Sequence, residues 1–87
     1  MSGFVKLKKQ MSKELSFGQK AVGISFNPGG NPAVNECKQT FANAIDQMND
    51  FRTRPEATSG QIRHASTAIT EIEGAQMRAV KALTWAD

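Results

Sequence analysis

The feature that most restricts how this chain can fold is its final third, Ser59 to Trp85, a proline-free run with apolar residues at helical spacing. Ile62, Ala65, Ile69, Ile72, Ala79 and Leu83, interrupted by Gln76, follow steps built from three and four, so they share one side of a helix with 3.6 residues per turn. That side has to be buried. Ser59 is the expected N-cap, because its hydroxyl can accept from a free backbone N–H of the first turn, and only Gly74 weakens the run downstream. Ala68, Ile72, Ala75, Ala79 and Ala82 form a second, small-residue stripe along which another backbone can approach closely. The combined apolar surface is wider than one partner helix covers.

A second helix is predicted upstream of it. Phe26-Asn27-Pro28-Gly29-Gly30-Asn31-Pro32 is a strong turn signal, since Pro28 fixes one dihedral and the glycine pair tolerates positive φ. Asn31 then caps a helix and Pro32 occupies its first position, where a missing N–H costs nothing. Val34, Cys37, Phe41, Ile45 and Met48 recur at helical spacing, with Asp46, Gln47 and Asp50 on the other side, so this helix runs to Phe51 or Arg52. The polar stretch from Arg54 to Gly60 is short enough to turn the two helices into an antiparallel hairpin. The predicted fold class is therefore all-α, with residues 1–25 as a basic leader and residues 26–87 as the helical hairpin domain.

The leader reads less simply. Phe4, Leu7, Met11 and Leu15 recur as on a short helix, or the segment orders only on docking to a neighbour. Lys20 to Phe26 alternates around Val22, Ile24 and Phe26, which predicts an extended piece. Charge is concentrated in the leader: residues 1–20 carry five lysines against Glu14 alone, whereas the remainder is slightly acidic although the whole chain is +3. Such a leader attracts polyanions, nucleic acid included, but a lysine-rich terminus is more often a solvated tail.

An 87-residue chain buries only about 60% of its unfolded surface, and a two-helix hairpin alone seldom suffices in water, so self-association is expected. Cys37, the single cysteine, cannot close an intramolecular disulfide, and one cysteine with one histidine makes no zinc set. No apolar run approaches the 18 or so residues of a membrane span, and Phe4-Val5-Lys6-Leu7 is too short and charged for a signal-peptide core. These features predict a soluble intracellular protein.

No catalytic constellation emerges. His64, the only histidine, falls on the polar side of the last helix, and Glu71 and Glu73 are two residues apart and point in different directions. Gly29-Gly30 lacks the lysine and spacing of a phosphate-binding P-loop. One stripe does carry binding chemistry: Arg63, Thr67, Thr70, Gly74, Met77 and Lys81 line up along the last helix, with cations at both ends and hydroxyls between. Arginine and lysine suit phosphate, threonine hydroxyls can donate to its oxygens, and the glycine lets a flat group or a backbone come close. A polar stripe is also what any helix turns to solvent.

Phe26-Asn27-Pro28-Gly29-Gly30-Asn31-Pro32-Ala33-Val34, with Ala68 to Glu73, Ala75-Gln76-Met77 and Ala79-Val80-Lys81-Ala82, resembles the hairpin domain shared by phage anti-CBASS and anti-Thoeris sponge proteins. The resemblance covers roughly residues 25–85, and the short leader makes the chain more similar to the small anti-CBASS sponge. It implies a helical protomer that assembles into a homohexamer in the host bacterial cytoplasm, and it implies no enzyme and no cofactor. Cyclic dinucleotides and cyclic trinucleotides would be held intact at separate sites between protomers. The residues matching motif positions are Phe26, Asn27, Thr70 and Lys81, with Arg63, Lys38 and Thr40 as further ligand-binding candidates beside Gly74. Arg78 departs from the family pattern, which has tryptophan after the Gln-Met pair. The alternatives are a small helical adaptor for another protein and, less favoured, a nucleic-acid-binding module working through the leader.

Overall fold

The computed structural model describes residues 14–87. They form three helices, α1 (Phe17–Ala21), α2 (Pro32–Arg52) and α3 (Ser59–Leu83), with no strand among the described residues. Helices α2 and α3 lie antiparallel: Ala33 and Cys37 at the start of α2 share a groove with Ala82 and Leu83, while Met48 and Phe51 near its end meet Gly60 and Ala65.

The ends of α2 are those the sequence predicts. Asn31 accepts from the Ala33 N–H at 2.9 Å, Pro32 opens the first turn, and the helix stops at Arg52. The cap of α3 is Thr58 rather than Ser59. The Thr58 hydroxyl accepts from the Gln61 N–H at 3.2 Å, and the Gln61 side chain accepts from the Thr58 N–H at 2.9 Å. A cap at Ser59 would have placed Ile62 at the third position, where no side-chain oxygen exists to return the second bond.

The extended piece expected at Lys20 to Phe26 is not there. Ser16 and Gln19 form a second capping box, with bonds of 3.0 and 2.9 Å, that starts α1. The helix ends in a Schellman motif: Gly23, at φ +62°, donates to the Lys20 carbonyl and Ile24 donates to that of Gln19. Both signals are local, and the apparent alternation of Val22, Ile24 and Phe26 concealed them. Phe4, Leu7 and Met11 of the expected N-terminal helix lie outside the described residues.

Glycine is required where α1 crosses α2. A Cβ on Gly18 would stand 2.1 Å from the Ala42 carbonyl oxygen, and the Gly18 N–H donates to Asp46 Oδ1 at 2.6 Å. The contact delivers Val22 into a core shared with Ala42, Ile45 and Ile69. On α2 Val34 and Ile45 are buried as the spacing predicts, but the rest of the buried line is Lys38 and Ala42, while Cys37, Phe41 and Met48 are half-buried. On α3 the buried residues are Ala65, Ile69 and the polar Gln76, whereas Ile62 and Leu83, at the ends of the apolar stripe, are exposed. Arg52 links the three helices. Its guanidinium lies 5.4 Å from the centre of the Phe17 ring and donates to Asn49 Oδ1 at 3.1 Å and Ser66 Oγ at 2.9 Å.

Candidate functional site

The turn before α2 builds a recess that several hydrogen bonds hold in shape. Gly30 donates to the Asn27 carbonyl at 3.0 Å, with Pro28 and Gly29 between them, and Gly30 itself sits at φ +66°. The Asn27 side chain ties the turn to the helix it precedes, donating to the Asn31 carbonyl at 2.9 Å and to Asn35 Oδ1 at 3.1 Å. From inside α2, Lys38 reaches back to hold the same segment: its ammonium donates to the Gly23 carbonyl at 2.9 Å and to that of Phe26 at 2.5 Å.

Lys38 is only 5% exposed, whereas the Phe26 ring beside it, 5.6 Å from centroid to Nζ, is 71% exposed. An ammonium has three N–H bonds, and two are engaged by carbonyls. Phe26, Asn27 and Lys38 thus border one cleft of about 180 Å³ whose far wall is Val80 and Thr84 of α3. An exposed aromatic face next to a buried cation is an arrangement that takes a flat group bearing an anion, the ring by stacking and the cation by charge.

The remaining candidates are distributed elsewhere. Gly74 and Lys81 share a shallow hollow of about 200 Å³ with Met77 and Arg78. Lys81 Nζ lies 5.7 Å from the centre of the Trp85 ring. The Thr70 hydroxyl donates back to the Ser66 carbonyl, and that of Thr40 to Glu36. Arg63 is exposed, with Nη2 3.5 Å from His64 Nε2. At 1.5 Å per residue, Arg63 and Lys81 are about 27 Å apart along α3, so one small ligand on one protomer does not reach both. Sequence reasoning did not single out Val80, Thr84 or Trp85 for a site. Trp85 stands four residues after Lys81, a spacing that could have flagged the pair.

The model for the family described as Acb2/Tad1, hairpin domain, matches residues 19–84. The chain belongs to that family. Its members are the anti-CBASS and anti-Thoeris sponge proteins, which are binding proteins for cyclic oligonucleotides. The match begins inside α1, one residue after Gly18, and ends just after α3, so it takes in both walls of the cleft. No curated protein and no solved structure matches the chain. Among the described residues no helix is long and apolar enough to cross a membrane.

Within this Acb2/Tad1 hairpin, Gly74 has nothing within 4 Å of the position its Cβ would take. Gly74→Ala is therefore expected to stabilise the protein by up to about 1 kcal/mol through helix propensity, seen as a rise in Tm of roughly 4–8 °C. If a ligand or neighbouring protomer uses the gap, the same methyl weakens binding or assembly, which calorimetry and light scattering would report. A higher Tm with unchanged mass and affinity would mean that the stripe through Gly74 is simply a solvated face.

Proposed function

We propose that this protein is a phage anti-defence sponge that binds cyclic dinucleotide and cyclic trinucleotide messengers of CBASS-type immunity in the host bacterial cytoplasm and sequesters them without breaking them. Family membership supports the ligand class. The observation that supports the assignment to residues is the cleft bordered by the exposed Phe26 ring and the buried Lys38 ammonium; in this reading the ring is the platform for a purine and Lys38 supplies the charge for a phosphate. The protein acts as a homohexamer. Exposed Ile62, Met77 and Leu83 supply apolar surface for such an assembly, and the separation of Arg63 from Thr70, Gly74 and Lys81 is then bridged by side chains of neighbouring protomers. Thr40 borders the groove between Cys37 and Leu83 and belongs to the same intersubunit set.

Calorimetry with a panel of cyclic dinucleotides and trinucleotides tests the proposal, together with heating of the complex to recover the ligand. Tight binding and chemically unchanged ligand are expected. Phe26→Ala should leave the fold intact, because the ring is mostly exposed, and should weaken cyclic dinucleotide binding by about 5- to 150-fold, the equivalent of 1–3 kcal/mol per stacked base. Absence of binding across the panel would favour the adaptor reading, for which the apolar cleft between Met48, Phe51 and His64 is the available surface.

A further inference from the structure

We propose that Asn27 reads a hydrogen-bond donor on the ligand, a base N–H or a sugar O–H, and does not bind its phosphates. This rests on the cyclic-nucleotide reading of the cleft and assigns one side of it a chemical polarity. An asparagine amide has two N–H donors and one carbonyl oxygen. Both donors are engaged: Nδ2 lies 2.9 Å from the Asn31 carbonyl oxygen and 3.1 Å from Asn35 Oδ1. A backbone carbonyl can only accept, so the atom facing Asn31 must be the nitrogen, and the amide cannot be turned over without setting two oxygens against each other.

The Asn31 carbonyl is itself held in place. It also accepts from the Val34 and Asn35 N–H groups that open α2. What remains of Asn27 is Oδ1, and among the described residues no donor reaches it. Asn27 lines the cleft, and with Nδ2 committed to Asn31 and Asn35 we assign Oδ1 as the atom it offers to a ligand there. A phosphate oxygen would be repelled by it, whereas a guanine N1–H or N2 amine, an adenine N6 amine or a 2′-hydroxyl would complete it. The cleft is thereby divided: Lys38 offers charge for the phosphate, Phe26 a platform for the ring, and Asn27 an acceptor that distinguishes ligands by their donors. Discrimination of this type is strong, because a ligand lacking the donor leaves the oxygen desolvated and unpaired.

The test is a structure of the full chain with cyclic GMP–AMP, supported by calorimetry of the parent, Asn27→Ala and Asn35→Ala. The ligands for calorimetry are cyclic GMP–AMP and analogues lacking one donor: inosine in place of guanine, 1-methylguanine, purine in place of adenine, and the 2′-deoxy sugars. In the complex, Oδ1 is expected within hydrogen-bonding distance of a ligand N–H or O–H while Nδ2 stays on Asn31. The parent should bind the analogue missing that donor on the order of tenfold more weakly, Asn27→Ala should bind the two alike, and Asn35→Ala, which leaves Oδ1 in place, should keep the preference. A complex in which Oδ1 faces no ligand donor, or in which Nδ2 has left Asn31 for a phosphate, overturns the inference while the cleft reading stands. So does an Asn27→Ala variant that loses affinity equally for every analogue. A parent that binds no cyclic nucleotide overturns both.

Discussion

Gly18→Ala is expected to detach α1 from the hairpin and lower Tm by roughly 12–24 °C, the shift that about 3 kcal/mol produces in a domain of this size. Overpacking usually costs about 1–3 kcal/mol because neighbouring side chains can move aside. Here the neighbour is the Ala42 carbonyl oxygen, 2.1 Å from the new methyl, in the middle of α2, where it cannot move without bending the helix. Separation of α1 would also break the Gly18 N–H bond to Asp46 and draw Val22 out of the core. Circular dichroism melts would report the loss of stability, and amide exchange would localise it to residues 17–24. The consequence reaches the cleft, because the Gly23 carbonyl that anchors Lys38 follows directly on α1. Cyclic nucleotide affinity should therefore fall although no cleft residue has been changed. An unaltered melt and unchanged exchange in α1 would mean that the helix does not depend on this contact.

Ile69→Asp should prevent stable folding of the protomer itself. Ile69 is 5% exposed and packs with Val22, Ala42 and Ile45, so the substitution puts a carboxylate among apolar groups and removes the side chain that filled the space. The cost is on the order of 3 kcal/mol or more, a large share of the stability of a chain of this length. Leu83→Asp is the informative companion. Leu83 is 45% exposed on the protomer, so this variant should keep its helical circular dichroism and lose assembled mass by light scattering. If Ile69→Asp melts like the parent, the core is misplaced. If Leu83→Asp keeps the parent's mass, that end of α3 is not an assembly surface.

Local information sufficed for the two long helices. Asn31-Pro32 at the start of α2, the three-and-four spacing of apolar residues and the polar connection after Arg52 are short-range patterns, and each acts through backbone geometry within one or two turns. The resemblance in the turn and in α3 was legible for the same reason, being carried by contiguous residues. The start of α1 is legible too, since Ser16 and Gln19 sit at capping-box spacing, but the neighbouring alternation of Val22, Ile24 and Phe26 imitates an extended segment.

What depends on distant parts of the chain could not be read this way. Lys38 looks from its neighbours like a solvated cation beside Cys37, and it is buried because carbonyls 15 and 12 residues earlier return to meet its ammonium. Gln76 interrupts an apolar stripe in sequence yet lies inside the fold. Ala42 is buried where α1 packs against it at Gly18, while Cys37 and Phe41, which the spacing points inward, are only half-buried. Arg63 and Lys81 share a stripe by spacing but not a ligand's reach, whereas Phe26, Asn27 and Lys38, spread over two elements, meet Val80 and Thr84 at one cleft. Helical periodicity fixes the direction of a side chain about its own axis; what stands opposite that side chain is decided only when α1, α2 and α3 pack.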